Sequence, residues 1–415
     1  MTSRKTVYII GAGYSYDAGY PLQTDILKKV LDYKFSILSG RNEKAFDRLS
    51  NIFLPAKESY KYMPEQGAYT YIPPSHTTLI EFLNRVFSSN SNSSLEDIFT
   101  LLDQSIAKRT YCLGYPWSDL EMIRTIFQRA ILIIFHNMAE MSKNEITYRS
   151  IAAYLLRQRI SSGKRGDPFS IISLNWDSLI EDSIYWCLMK VKGYKISDVD
   201  YCTYTFPLTN SSKHVTSIIQ RAKGINNIKI LKLHGSTNWL LCPNCNRLYT
   251  GLGSKENVWD LYVEERFCEK CATNKWNIQD KPPILEPFFI TPTYTKVFDN
   301  THLQSVWDNA YIELSEADRI VFIGYSLPDA DYHFRTLLHR SIASNTRVEV
   351  VLMHNDYSYK RMPLRQRRYL ASNRYKNFFG KQEIKWYKQG VRGYFKSIIS
   401  KRALANNLKY IKEHI

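Results

Sequence analysis

Six short strand-like runs rich in apolar residues limit the fold of this chain more than any other feature. They cover residues 7–10, 169–174, 228–233, 288–290, 319–323 and 348–353, and most are rich in Val and Ile without the regular alternation of a half-exposed strand. A strand that is apolar on both faces is usually buried on both faces, as in a parallel sheet covered by helices. The sequence therefore predicts an α/β fold with a mainly parallel sheet.

The long stretch between the first two runs has a different pattern. Residues 76–87, 94–105 and 120–138 place apolar side chains at helical spacing, and a Pro-Pro pair at 73–74 and a Ser/Asn-rich segment at 88–94 separate them. We expect a helical module inserted into the sheet domain.

The first apolar run ends in Gly11, Ala12 and Gly13, followed by Ser15 and Ala18. A helix that begins after such a turn presents unpaired N–H groups and can hold a pyrophosphate. A tight turn that lets a helix pack closely explains the same glycines. The usual dinucleotide fingerprint needs a third glycine three residues on, which is absent here, so an ordinary dehydrogenase is not favoured.

Polar residues follow three other runs, where a parallel sheet faces its ligand crevice. Asn175 and Asp177 could contact a ribose hydroxyl or a water, or could cap the next helix. His234 is placed to act as a general base, although a lone histidine is more often structural. Gly324 and Ser326 form a second strand–Gly–Ser loop, which is also typical of a turn before a helix that starts with proline.

Four cysteines follow the His234 strand in two Cys-x-x-Cys pairs. Four thiolates at this spacing bind one tetrahedral Zn²⁺ and leave no open position, which predicts a structural site. A redox pair is the less favoured alternative. The proposed ligands are Cys242, Cys245, Cys268 and Cys271, and the other three cysteines, Cys112, Cys187 and Cys202, are expected to be buried thiols.

The net charge of +17 is concentrated near the end of the chain. Residues 357–415 carry sixteen Lys and Arg against Glu383 and Glu413, a local charge of +14. This basic segment could contact DNA phosphates, dock an acidic partner subunit or form a solvated face. Since no secretory signal or membrane-length apolar run is visible, a cytoplasmic location is expected.

Taken together, these motifs occur in the order seen in sirtuins, and the chain resembles the sirtuin superfamily. The motifs are Gly-Ala-Gly-x-Ser at 11–15, Asn-x-Asp at 175–177, His-Gly at 234–235, the cysteine pairs and Gly-Tyr-Ser-Leu at 324–327. The resemblance implies a Rossmann-like domain that binds NAD, with structural zinc.

The same resemblance implies a role for each motif. Gly11, Ala12, Gly13, Ser15 and Ala18 would lie at the NAD pyrophosphate. Asn175 and Asp177 would line the nicotinamide-ribose pocket, and His234 would be the catalytic base. Gly324 and Ser326 would contact the adenosine half, and Asn355 would lie at the adenine side.

Departures from the family pattern affect the expected activity. Leu22-Gln23-Thr24 and residues 285–296 stand where deacylating sirtuins have segments that bind the acyl-lysine peptide. The long helical insertion and the string GYSLPDAD resemble bacterial sirtuin-like NADases of anti-phage defence. This implies NAD hydrolysis, a homo-oligomer and a HerA-type ATPase partner. The alternatives are an NAD-dependent deacylase and a non-enzymatic NAD or ADP-ribose sensor.

The expected organisation is a Rossmann-like domain with two insertions. Its parts are 1–24, 166–236 and 281–356, interrupted by a helical module at 25–165 and a zinc module at 237–280. The basic segment, 357–415, is expected to pack partly on the core.

Overall fold

The fold is described from a computed structural model of the chain. It describes residues 5–32, 60–63, 68–71, 76–91, 93–140, 145–163, 166–190, 199–207, 227–250, 267–273, 283–293, 300–353, 370–399 and 403–414. Asn355 and the whole cationic cluster at 360–368 lie outside these residues. In the described part of the chain, no helix is long and apolar enough to cross a membrane.

A seven-stranded parallel sheet forms the centre of the fold and confirms the predicted α/β class. Its strand order is β13-β12-β11-β1-β4-β7-β5, and every pair in it is parallel. The strands are β1 (Thr6–Ile10), β4 (Phe169–Ser173), β5 (Val199–Asp200), β7 (Ile228–Lys232), β11 (Arg319–Ile323), β12 (Arg347–Val351) and β13 (Ile384–Tyr387). The central strands are buried on both faces, as predicted, and the burial includes the polar side chains of Ser170, Ser173 and Lys232.

Helices follow β1 and then fill the long stretch before β4. They are α1 (Ala12–Tyr16), α2 (Gln23–Asp32), α3 (His76–Ser89), α4 (Leu95–Lys108), α5 (Trp117–Glu140) and α6 (Glu145–Ser161), with a hairpin of β2 (Tyr60–Met63) and β3 (Ala68–Tyr71) between α2 and α3. Helix α4 begins with a capping box in which Ser94 and Asp97 satisfy each other's backbone amides. Helices α2, α3 and α4 all pack against α5, so the described part of the insertion is mainly helical, as predicted.

A second, four-stranded sheet lies beside the cysteine pairs. Its order is β10-β8-β9-β6, with β6 (Thr205–Pro207), β8 (Gly235–Leu241), β9 (Leu248–Thr250) and β10 (Glu286–Phe289), and the short helix α8 (Glu269–Ala272) carries Cys271. The apolar run at 288–290 belongs here and not to the parallel sheet, because β10 pairs antiparallel with β8. A short apolar run does not reveal which sheet buries it.

The last part of the chain completes the parallel sheet. Helix α7 (Leu179–Met189) lies between β4 and β5, α9 (Thr301–Ser315) precedes β11, and α10 (Tyr332–Ser341) lies between β11 and β12. Helix α11 (Ala371–Phe379) precedes β13, and α12 (Gly390–Ile398) and α13 (Ala403–His414) follow it. Helix α13 packs on α6, where Arg157 Nη1 donates to Asn407 Oδ1 at 3.0 Å. The described part of the basic segment is therefore integrated into the fold.

Candidate functional site

The candidate site lies at the carboxyl edge of four adjacent strands. The order β11-β1-β4-β7 is in register, so Ile323, Ile10, Ser173 and Lys232 end the strands at the same level. The loops after these strands carry the predicted glycines, Asn175 and His234. Strand order thus brings four sequence motifs that lie far apart in the chain to one edge of the sheet.

Two glycine loops approach each other closely at this edge. The Gly13 amide donates to Gly324 O at 2.8 Å, and a Cβ on Gly11 would lie 2.7 Å from Tyr325 Cα. Gly324 has a φ of +64° and would clash with the backbone of Gly13 and Tyr14 if it carried a side chain. Close loop packing is thus one reason for these glycines, and the Gly13 amide is not directed at a ligand.

Below the glycine loops, three buried polar side chains form a network. Ser15 Oγ donates to Asp177 Oδ2 at 2.8 Å. The Asn175 amide donates to Gly11 O at 3.0 Å and to Ser15 Oγ at 3.2 Å. Asp177 Oδ1 accepts from the Leu179 amide at 3.1 Å, so it also holds the start of α7. The structure therefore brings Gly11, Ser15, Asn175 and Asp177 together in one network.

A buried ion pair supports this network from the strand side. Lys232 Nζ donates to Asp177 O at 2.6 Å and lies 3.0 Å from Glu181 Oε1, and both side chains are 0% exposed. Burial raises the pKa of the Asp177 and Glu181 carboxyls above their usual range, and the charge of Lys232 opposes the shift. Lys232 thus partly offsets the cost of two buried acids next to the site.

His234 lies between two acceptors. Its Nδ1 is 3.3 Å from Leu174 O, the carbonyl just before Asn175. Its Nε2 is 3.5 Å from Asp331 Oδ1. The His234 carbonyl accepts from the Ile290 amide at 2.8 Å, which fixes the backbone where β7 gives way to β8. His234 is 8% exposed.

The loop at 324–327 is tied down through all four of its carbonyl groups. Besides the Gly13 amide on Gly324 O, Tyr375 Oη donates to Tyr325 O at 2.9 Å and Arg374 Nε donates to Ser326 O at 2.9 Å. Arg335 Nη1 donates to Leu327 O at 3.3 Å. Helix α11 of the basic segment thereby holds the loop that carries Gly324 and Ser326, while the Ser326 side chain is exposed.

The four paired cysteines meet in one cluster, as their spacing predicts. All four sulfur atoms lie within 4.8 Å of one another, with Cys242–Cys271 and Cys245–Cys268 sulfur distances of 3.8 and 3.6 Å. Tetrahedral Zn²⁺ with bonds of about 2.3 Å places its sulfur ligands about 3.8 Å apart.

Hydrogen bonds to the sulfurs also fit a metal-thiolate site. The Cys245 amide donates to Cys242 Sγ at 3.5 Å, Asn244 Nδ2 donates to Cys271 Sγ at 3.5 Å, and Tyr249 Oη lies 3.2 Å from Cys268 Sγ. Donors of this kind stabilise thiolate charge around a bound metal. The cluster is therefore compatible with zinc. Of the other cysteines, Cys187 and Cys202 are buried as expected, and Cys112 is half-buried.

No protein-family model matches the sequence, and no curated protein matches it. Solved structures of Sir2 proteins are similar to this chain. A Sir2 homologue in complex with NAD is 12% identical, with a TM-score of 0.36, and the match covers 99% of this chain and 90% of that one. A Sir2 protein bound to a propionylated peptide is 14% identical, with a TM-score of 0.36 and coverage of 97% and 94%. Similarity at this level assigns neither family nor activity.

Several residues of the site are not among the sequence-predicted ones. Lys232 and Glu181 lie within segments that read as a buried strand and a helix, so only the packing shows that they pair. Asp331 belongs to the acidic sequence that follows Ser326, and no other feature of the sequence indicates that it lies near His234. Arg374 and Tyr375 lie about 50 residues beyond the loop that they hold, and nothing local in the sequence indicates the contact.

Proposed function

We propose that this chain hydrolyses NAD to nicotinamide and ADP-ribose. The observation that carries the proposal is the placement of Asn175 and His234, each at the end of a parallel strand, next to glycine loops that follow β1 and β11. Crevices at this edge are where open α/β sheets bind nucleotides. The order of the motifs along the chain, which resembles that of sirtuins, supports the same choice of ligand.

The reaction needs few groups from the protein. The bond between the nicotinamide nitrogen and ribose C1′ breaks, and its electron pair stays with nicotinamide. Water oxygen bonds to C1′ and gives up a proton, for which His234 is the acceptor. Asn175 Oδ1 orients the water or a ribose hydroxyl, and the network with Ser15 keeps that amide in place. The transition state has oxocarbenium character, so positioning supplies much of the catalysis.

One feature of the fold favours hydrolysis over deacylation. The segment that stands in place of the acyl-peptide stretch is held against the helical module: Thr291 Oγ1 accepts from Arg124 Nη2 at 3.1 Å, and Thr293 Oγ1 lies 3.1 Å from Thr100 Oγ1. With these contacts in place, the segment is less available to pair with a peptide. An NAD-dependent deacylase and a non-enzymatic NAD sensor are the alternatives.

Two variants test the assignment of roles. Asn175→Ala and His234→Ala should each lower the rate of NAD cleavage about 10²- to 10⁴-fold, while calorimetry still detects binding of ADP-ribose. Lys396→Ala is the control, because Lys396 lies on the exposed side of α12. Ala18→Ser is not suitable as a control, because Ala18 is fully buried. Wild-type protein that binds NAD tightly and never cleaves it would support the sensor.

The biological setting belongs to the same proposal. We place the chain in the cytoplasm as an anti-phage effector that depletes NAD, assembled as a homo-oligomer with a HerA-type ATPase. The cationic residues, notably Arg361, Arg365, Arg367 and Arg368, would serve assembly first and DNA contact second. Reversing these four charges should disrupt assembly while the subunit stays folded. If assembly is intact and DNA binding is lost, DNA contact is the main role of these residues and assembly is not.

A further inference from the structure

Asp331 occupies a helix N-cap but does not cap the helix. It precedes α10, where an aspartate side chain ordinarily accepts a hydrogen bond from a backbone amide of the first turn, and no such bond is formed. Its Oδ2 instead accepts from Tyr325 Oη at 2.9 Å, and its Oδ1 lies 3.5 Å from His234 Nε2. Asp331 is 7% exposed. Its carboxylate is therefore held away from α10 and toward the histidine.

The other side of the histidine determines which nitrogen can accept a proton. A backbone carbonyl can only accept, so Nδ1 at 3.3 Å from Leu174 O carries a hydrogen. That hydrogen bond fixes the tautomer and leaves Nε2 as the basic nitrogen. At 3.5 Å, Asp331 Oδ1 is close enough to stabilise a proton on Nε2 electrostatically.

We propose that Asp331 is a positioning residue for His234, stabilising the imidazolium that forms when Nε2 takes the proton of the attacking water. The inference rests on the proposed function and adds a residue to its mechanism. Tyr325 contributes by holding the second carboxylate oxygen. Two cations of the site region pair with other carboxylates: Lys232 with Glu181, and Arg335 with Asp329.

Kinetics of Asp331→Asn test this role, with Asp329→Asn as the matched control. Asp329 lies two residues away, and its side chain is 79% exposed in a surface ion pair. Asp331→Asn should lower kcat about 10- to 100-fold, equivalent to about 1.4–2.7 kcal/mol, and leave KM for NAD within about twofold. Asp331→Glu should restore part of kcat, and Asp329→Asn should leave both constants unchanged. An unchanged kcat in Asp331→Asn would overturn the proposal.

A chemical measurement separates this proposal from NAD hydrolysis itself. Diethyl pyrocarbonate modifies unprotonated imidazole nitrogen, and mass spectrometry of the peptide with His234 gives the rate. Modification should be several-fold faster in Asp331→Asn than in wild type or Asp329→Asn. If Asp331→Asn does not fold, Tyr325→Phe takes its place, because it removes only the hydroxyl that holds Asp331. This variant should also be modified at His234 faster than wild type. Equal modification rates in all variants would overturn the pairing of Asp331 with His234, even if NAD is cleaved. Faster modification of Asp331→Asn in a protein that does not cleave NAD would support the pairing and contradict the proposed function.

Discussion

Replacing Lys232 with Met should destabilise the protein strongly, because the change removes a fully buried cation. Lys232 Nζ lies 3.0 Å from Glu181 Oε1 and donates to Asp177 O at 2.6 Å. Neither the lysine nor the glutamate side chain is exposed to solvent. The methionine side chain has nearly the same length and volume, so the loss reports charge and hydrogen bonding more than packing.

The magnitude follows from what the variant leaves behind. A buried charge that loses its partner costs about 3–5 kcal/mol of the free energy of unfolding, and the lost hydrogen bond to Asp177 O adds about 1 kcal/mol. Burial raises the pKa of Glu181 and Lys232 opposes the rise. Without Lys232 the folded-state pKa of Glu181 rises further. The penalty is therefore largest at high pH, where unfolding lets Glu181 ionise, and shrinks as the pH falls.

Urea unfolding followed by circular dichroism at pH 5.5 and pH 8 measures both effects. Lys409→Met is the control, since its side chain is 79% exposed and 3.9 Å from Glu413, and it should change stability by less than about 0.5 kcal/mol. Lys232→Met combined with Glu181→Leu should recover most of the loss, because it removes both charges. A loss below about 1 kcal/mol for Lys232→Met, equal at the two pH values, would refute the reasoning.

Three further predictions concern other parts of the molecule. Metal analysis should find about one zinc per chain, and Cys242→Ser should lose the metal and unfold the small sheet, whereas a folded, zinc-free active protein would contradict the site. Burial raises the pKa of Asp182 to about 7, so ionisation of this carboxyl favours the unfolded state as the pH rises from about 4 to 7. Asp182→Asn should therefore stabilise the protein by roughly 2 kcal/mol more at pH 8.5 than at pH 5.5 in urea titrations. A stability change that is equal at both pH values would refute the raised pKa. Arg374→Ala frees Ser326 O and should raise KM for NAD several-fold with little change in kcat, so an unaltered KM in steady-state kinetics would show that α11 does not position the loop.

The parallel sheet could be predicted from the sequence because its signal is local. The run at 7–10 is apolar throughout, as is the run at 319–323 after Arg319, and each is a central strand. The cysteine cluster was predictable for the same reason, since the two-residue spacing within each pair limits where the sulfurs can lie. The prediction of a parallel strand at 288–290 is wrong, because β10 pairs antiparallel with β8. That pairing depends on tertiary contacts, which the run itself does not indicate.

The candidate site was predictable in its polar residues and not in their supports. Asn175 and His234 stand directly after strands, a position visible in the sequence. Their neighbours come from remote segments: Asp331 reaches His234 across 97 positions of sequence, and Arg374 reaches the loop at 324–327 from α11. Such contacts depend on strand order and helix placement, which short patterns do not encode.

Product analysis of NAD incubated with the purified chain tests the central claim most directly. Chromatography should show nicotinamide and ADP-ribose in equal amounts without any acylated peptide. The His234→Ala protein should release neither product at a comparable rate. Release of nicotinamide only when an acyl-lysine peptide is added, with the acyl group transferred to ADP-ribose, would contradict the account.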